Sequence, residues 1–126
     1  MGVRRHILVV INDPLEQRSW AELLRGHGHA VTVVGNGFEA QAEIQSIETF
    51  DLIFAGMTIP GINGISLLQW MREGDVRTRY IPFALLSASE VGEGSTRTLP
   101  QQCIELNAHF VKIPSQTVLE ELGLAE

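Results

Sequence analysis

Residues 50–64 have the sequence FDLIFAGMTIPGING, and this stretch predicts the fold of the chain. Its first part, from Leu52 to Ala55, is a continuous apolar run of strand length. Such runs are typical of central strands in parallel sheets that helices cover on both faces. Residues 60–64 follow with a proline, two glycines and an asparagine, which favour turns, and residues 65–73 place apolar side chains at helical spacing. The predicted strand therefore ends at Gly56, at the edge where α/β sheets usually bind their ligands.

The composition indicates one globular domain. The 126 residues are 44% hydrophobic and 19% charged, which predicts a single domain over residues 1–126 with one core. No apolar run approaches the roughly 20 residues that cross a bilayer, and no signal peptide precedes the first strand, so we expect a cytoplasmic protein without membrane contact. The short tail after Leu122 is compatible with a domain cut from a longer protein.

Charge and cysteine content argue against certain kinds of binding site. The formal net charge is −6 and the basic residues are scattered, which argues against a nucleic-acid surface. The lone Cys103 excludes a disulfide within the chain and a thiolate metal cluster.

Strands and helices are predicted to alternate along the whole chain. The other predicted strands are His6–Ile11, Ala30–Val34, Ile81–Ser87 and His109–Ile113. Predicted helices follow residues 13, 37, 64, 99 and 115, while residues 74–80 form a charged connector and residues 88–98 a long mobile loop. Five strands and five helices with long connections predict a doubly wound α/β fold of three layers.

Helix ends and faces can also be predicted. Asp13 and Pro14 are typical of a helix start, and the segment from Thr98 to Gln101 resembles a capping box. Ser115 is the predicted cap of the last helix. The predicted buried side of the first helix consists of Leu15, Trp20, Leu23 and Leu24.

Several segments resemble the receiver domain of bacterial response regulators. The most specific is the Met-x-x-Pro-Gly-x-Asn-Gly pattern at residues 57–64. The remaining matches are Ile7–Val10 with Pro14, Asp51-Leu52-Ile53, Ile81-Pro82 with Ser87-Ala88, and Phe110 with Pro114. The resemblance implies a flavodoxin-like five-stranded parallel sheet in the order 2-1-3-4-5. It also implies a role in two-component signalling through protein partners.

The family's reaction is phosphoryl transfer from a histidine kinase to an aspartate that ends the third strand. Two acidic residues after the first strand hold Mg²⁺, a Ser or Thr ending the fourth strand bonds the phosphoryl group, and a Lys ending the fifth pairs with it. Each group has a chemical reason, because the reaction needs a carboxylate nucleophile, a hard cation with oxygen ligands and a charge partner for the product.

The acceptor and the acidic pair do not match this pattern. The acceptor position is Gly56, which cannot form an acyl phosphate. The acidic pair falls on Ile11 and Asn12 if Pro14 sets the register, or on Asn12 and Asp13 if the register slips by one residue. At most one carboxylate remains, so we expect Mg²⁺ binding to be lost or weak, and Asp13 is more simply a helix cap.

The remaining positions match in part. Ser87 stands where the family has its hydroxyl, and Phe110 occupies the position of the aromatic residue that swings on activation. The lysine position, immediately before Pro114, is Ile113, while the adjacent Lys112 should point to the opposite face of the strand.

These substitutions predict a pseudo-receiver, which is a signalling module with no catalytic residue and no metal site. It would act through protein contacts, including a homodimer through Pro100–Leu124, the predicted fourth helix, fifth strand and fifth helix. One alternative is phosphorylation at an unorthodox acid such as Asp13 or Glu90. Another is a small-ligand sensor in the vacated site, which Ile11 and Ile113 would line with apolar surface.

Overall fold

The computed structural model describes residues 4–46, 49–74, 76–91, 97–113, 118–122 and 124. The strands in these residues are β1 (His6–Val10), β2 (Ala30–Val34), β3 (Leu52–Gly56), β4 (Phe83–Ser87) and β5 (His109–Lys112). The helices are α1 (Pro14–Gly26), α2 (Gly37–Gln45), α3 (Gly64–Glu73), α4 (Val76–Arg79), α5 (Leu99–Glu105) and α6 (Val118–Glu121). No helix among the described residues has both the length and the apolar character needed to cross a membrane.

The five strands form one parallel sheet in the order β2-β1-β3-β4-β5, which confirms the predicted fold and strand order. The side chains of β1, β3 and β4 are almost all buried, because helices cover both faces of the sheet. Helices α1 and α6 pack on one face, and α2, α3 and α5 pack on the other. The continuous apolar runs of the sequence are therefore the centre of a three-layer core.

The predicted buried side of α1 is wrong in part. Leu15 and Leu23 are 73% and 42% exposed, whereas Ala21 and Leu24 are buried and Trp20 is half-buried. The reason is the helical period of about 100° per residue, which places Leu15 about 180° from Leu24 around the helix. The stripe that faces the sheet consists of residues 20, 21 and 24.

The connector at residues 74–80 contains helix α4, which the sequence analysis did not predict. Its Thr78 is buried, and the Thr78 hydroxyl donates to the carbonyl of Met71 at 3.3 Å. Strand β4 begins at Phe83, two residues later than predicted, and Pro82, which has no N–H to donate, precedes it.

Strands β1 and β5 each end one residue earlier than predicted. The next residues, Ile11 and Ile113, still donate one backbone bond each, to Val34 and to Ser87. The sheet pairing therefore reaches both isoleucines.

The helix caps agree with the prediction where they can be described. Asp13 caps α1, and Thr98 with Gln101 forms the capping box of α5. Between residues 88 and 98 the structure describes a bridge that pairs Val91 with Thr98. The predictions for Pro114, Ser115 and residues 92–96, 123 and 125–126 lie outside the described residues.

Candidate functional site at the carboxyl edge of the sheet

The carboxyl ends of β1, β3, β4 and β5 surround a cleft of about 320 Å³. Gly56 and Ser87 are the last residues of β3 and β4, while Ile11 and Ile113 directly follow β1 and β5. The apolar side chains in the lining are Ile11, Trp20, Met57, Ile59, Leu86 and Ile113. The polar lining consists of Asn12, Asp13, Glu16, Thr58 and Ser87, and Gly56 and Ala88 complete it. The positions predicted from the family's phosphorylation site therefore all line the cleft, except Phe110.

The loop after β3 is held in place by backbone bonds and by one side-chain cap. The amide of Met57 donates to Leu86 at 2.8 Å, and the amide of Gly64 donates back to Met57 at 2.9 Å. The Asn63 side chain accepts from the amide of Ser66 at 2.9 Å and caps α3. These bonds connect the end of β3 to the start of α3.

Gly56 leaves this edge of β3 without a side chain, although the backbone has room for one. A Cβ built at this position would lie 3.8 Å from the Ile59 Cγ2 atom and 3.9 Å from the carbonyl oxygen of Val10. These are ordinary van der Waals distances. Steric crowding therefore does not explain the glycine.

The two polar residues after β1 are bonded to their own loops. The Asp13 Oδ2 atom accepts from the amide of Glu16 at 3.0 Å, which is the N-cap bond of α1. The Asn12 Nδ2 group donates to the carbonyl of Gly35 at 3.1 Å and links this loop to the end of β2. Asp13 carries the only carboxylate in the predicted acidic-pair region. One of its two oxygens is therefore already bonded to the backbone of α1.

Ser87 lies at the cleft, but its hydroxyl bonds to a neighbour in the chain. It donates to the carbonyl of Ser89 at 2.7 Å and accepts from the Ser89 amide at 3.2 Å. The side chain is nearly buried, with the residue 8% exposed. The hydroxyl stabilises the turn after β4.

The end of β5 presents an isoleucine to the cleft. Ile113 lines it, whereas the Lys112 ammonium lies 3.5 Å from the Glu90 Oε2 atom, and both of those side chains are about half exposed. Consecutive strand residues point to opposite faces, which accounts for the difference. Phe110 is half-buried against the core on the α2–α3–α5 face and does not line the cleft.

Seven residues of the lining have no site role in the sequence-based prediction: Glu16, Trp20, Met57, Thr58, Ile59, Leu86 and Ala88. The Trp20 ring packs edge-on against Phe54, with centroids 4.7 Å apart at 62°. Glu16 and Trp20 are four residues apart on α1, so they share one side of that helix. That spacing, counted from the Asp13 cap, is the signal that could have placed both residues beside the cleft.

Asp51 and His29, which lie away from the cleft, form bonds that connect parts of the fold. Asp51, at the opposite end of β3, accepts from the backbone amide of His6 at 2.8 Å. The buried His29 ring bonds at both nitrogens, accepting from the Arg5 amide and contacting the carbonyl of Leu124. Among the residues that the structure describes, no three His, Cys, Asp or Glu side chains form a group that could hold a metal ion.

Curated proteins similar to this chain include regulators and a kinase. MtrA of Mycolicibacterium smegmatis, a DNA-binding response regulator, is 30% identical over 86 residues, covering 68% of this chain and 36% of MtrA. The transcriptional activator PfeR of Pseudomonas aeruginosa is 29% identical over 130 residues, covering 95% of this chain and 41% of PfeR. Hybrid signal transduction histidine kinase E of Dictyostelium discoideum is 28% identical over 102 residues, covering 81% of this chain and 6% of the kinase. The chain thus spans less than half of each relative.

Solved structures share the fold at lower identity. The chemotaxis response regulator CheY4 of Vibrio cholerae has a TM-score of 0.78 at 21% identity, covering 95% of this chain and 97% of CheY4. The receiver domain of a Pseudomonas aeruginosa sensor histidine kinase, which holds a magnesium ion in its active-site cleft, has a TM-score of 0.76 at 22% identity, covering 97% and 95%. The family model of the response regulator receiver domain matches residues 7–108. The chain therefore belongs to the response regulator receiver domain family.

Proposed function

We propose that this chain is a receiver domain that is not phosphorylated and that signals through protein contacts. The observation that carries the proposal is Gly56 at the end of β3, where the family has its acceptor aspartate. Formation of an acyl phosphate requires a carboxylate at that point, and a glycine offers none. A Cβ would fit there without a close contact, so packing does not require a glycine at this position. What the glycine removes is the acceptor carboxylate.

The residues at the cleft do not fit the family's Mg²⁺. This ion prefers near-octahedral oxygen ligands and usually takes one or two carboxylates together with phosphate oxygens. Here Gly56 and Ile11 offer no side-chain oxygen, and one Asp13 oxygen already accepts from the amide of Glu16. The lining therefore does not supply the oxygen ligands that this ion needs.

The position of the family's lysine supports the same proposal. Ile113 borders the cleft, and the nearest lysine along the chain, Lys112, contacts Glu90 instead. No cation among the described lining residues could pair with a phosphoryl group. Ser87 is the one retained hydroxyl, and its bonds to Ser89 give it a structural role.

Without phosphate, another input has to bias the conformation. A ligand or partner shifts an equilibrium only if it interacts differently with the two states. For a receiver that is not phosphorylated, that input is the binding of a partner protein or of a small molecule, and otherwise the domain holds one state.

The proposed contact surface is Pro100–Leu124, which includes α5, β5 and α6 and supports a homodimer. Ile104 on α5 is 77% exposed, so its side chain is accessible to a partner. Analytical ultracentrifugation tests the pairing, with Ile104→Lys expected to shift any dimer toward monomer. The control is Val76→Lys on α4, which changes a similarly exposed residue outside the proposed surface.

Intact mass spectrometry tests the absence of phosphorylation. The purified protein is incubated with Mg²⁺ and acetyl phosphate beside a receiver that has an intact site. We expect the mass of this chain to stay unchanged while the control gains one phosphoryl group. The matched variant Ile11→Asp/Asn12→Asp/Gly56→Asp/Ile113→Lys restores the lost groups, and we expect it to gain a phosphoryl group at residue 56. A phosphoryl adduct on the unmodified chain contradicts the proposal.

Phosphorylation at an unorthodox acid is the second candidate, favoured by the position of Asp13 in the cleft lining. Glu90 is a weaker candidate, because its carboxylate contacts Lys112 and it does not line the cleft. If an adduct forms, Asp13→Asn and Glu90→Gln identify its site by loss of the mass increase. The control variant is Glu22→Gln, which removes the charge of an acidic residue outside the cleft.

A further inference from the structure

The cleft has the size and the walls of a small-molecule site. Its volume of about 320 Å³ lies at the lower end of the range for ligand pockets. Aliphatic side chains from the ends of three strands, Ile11, Leu86 and Ile113, form much of the wall. A ligand with an apolar body would bury surface against them, whereas a free phosphate would gain nothing from these contacts.

The charges at the cleft are of one sign. Asp13 and Glu16 are in the lining, and none of the described lining residues is a lysine, arginine or histidine. The positive amino end of α1 is already capped by the Asp13 carboxylate. Lys112, which could have added a positive charge, points to Glu90. The cleft therefore favours a cation over an anion.

An indole ring lies beside these carboxylates. Trp20 is in the lining one helical turn after Glu16, and its edge-on packing against Phe54 fixes the ring. An aromatic face attracts a cation, and the attraction is strongest for tryptophan. A carboxylate and an indole on the same side of α1 form a pair that suits an ammonium group.

We propose that the cleft binds a small organic cation, a primary or quaternary ammonium group attached to an apolar or aromatic body. This inference rests on the proposed function, because a phosphorylated receiver would hold an anion in the same space. In this arrangement the ammonium lies near Glu16 and Trp20, and the apolar body lies against Ile11, Leu86 and Ile113.

A series of three ligands of similar shape tests the charge preference. Phenethylammonium, phenethyl alcohol and phenylacetate are titrated into the ¹⁵N-labelled full chain and followed by NMR. We expect the cation to bind most tightly and to shift the Trp20 indole N–H resonance. The Trp70 indole, which is not in the cleft lining, should move little and serves as an internal reference. Tightest binding of the alcohol or the carboxylate, or no saturable shift with any ligand, overturns the proposal.

Two glutamate variants test the location of the charge. Glu16→Gln should weaken phenethylammonium binding by about twofold to fivefold, as expected for one exposed ion pair. The variant should stay folded, because Asp13 contacts the backbone amide of Glu16 rather than its side chain. Glu22→Gln removes the same charge from an exposed position of α1 outside the cleft lining and should leave the affinity unchanged. Equal weakening by both variants overturns the proposed site.

The two proposals can fail separately. A phosphoryl adduct on the unmodified chain overturns the proposed function whatever the cation does. Absence of cation binding in a chain that acetyl phosphate does not modify overturns only the cation site.

Discussion

Arg72 is predicted to be the most important single side chain for joining the helices and strands on the α3–α5 side of the sheet. Its guanidinium donates to the carbonyls of Leu106, Arg79, Ile81 and Asn107, at 2.7, 3.1, 2.8 and 3.2 Å. Arg79 is the last residue of α4, Ile81 lies between α4 and β4, and Leu106 and Asn107 follow α5. Burial lowers the pKa of the Arg72 guanidinium, which shows that its desolvation has a cost for these bonds to offset.

The contribution of Arg72 to stability depends on which of its four bonds are shielded from water. The bonds to Leu106 and Ile81 are partly buried, and those to Arg79 and Asn107 are exposed, so water can replace the second pair at little cost. A hydrogen bond to a charged group contributes about 1.5–3 kcal/mol, and desolvation of the arginine reduces the sum. We therefore expect Arg72→Met to lower the free energy of unfolding by about 2–4 kcal/mol, against a total of roughly 5–15 kcal/mol for a domain.

Urea unfolding followed by circular dichroism measures this loss. With a slope of about 2 kcal/mol per molar urea, the midpoint should fall by roughly 1–2 M. Arg72→Lys should recover little, because an ammonium cannot reproduce the planar fork of donors. Arg79→Met is the control, since Arg79 makes one exposed bond to the carbonyl of Gly74 and should cost less than about 0.5 kcal/mol. A loss below that value for Arg72→Met, or equal losses for both methionine variants, would refute the reasoning.

Two further predictions concern packing and pH. Gly64→Ala should destabilise the protein by about 1–3 kcal/mol, because its Cβ would lie 2.5 Å from both the carbonyl oxygen of Gly56 and the Leu85 Cδ1 atom. Gly56→Ala, which meets no atom closer than 3.8 Å, should change the same unfolding midpoint little; equal losses contradict the packing argument. Burial raises the pKa of the Cys103 thiol from 9.0 to about 11, so the folded state holds this proton more tightly. The stabilisation that comes from this raised pKa is fully present below pH 9 and is lost as the pH rises toward 11. The free energy of unfolding of Cys103→Ala, measured with urea, should therefore lack this pH dependence.

The fold could be predicted because its information is local in the sequence. The run from Leu52 to Ala55 has to be a buried strand, since no alternation offers a polar face to water. Asp13 and the Thr98–Gln101 box act within one helical turn, so the residue types alone place the helix starts. The motif at residues 57–64 added the strand order through the family resemblance.

The tertiary details could not be predicted in the same way. The bonds of Arg72 cross up to 35 positions of sequence to backbone carbonyls, which carry no side-chain pattern. The α4 helix has only four residues, too few to show a helical period. The sequence predicts packing for Trp20 and no site role for Glu16, because their place beside the cleft depends on how α1 crosses the sheet.

The residues that determine the match to the family are different from the residues that carry out the family's reaction. Gly61 has a φ of +82°, which a side chain would strain, and Gly64 lies too close to the backbone of β3 to carry a Cβ. Asn63 caps α3 whether or not a phosphoryl group is present. Position 56, by contrast, has room for a side chain, and Ile113 is only half-buried, so replacing the acceptor and the lysine costs the fold little. Selection on the fold alone would therefore keep the motif and let the reacting residues go, and membership in the family does not carry the reaction with it.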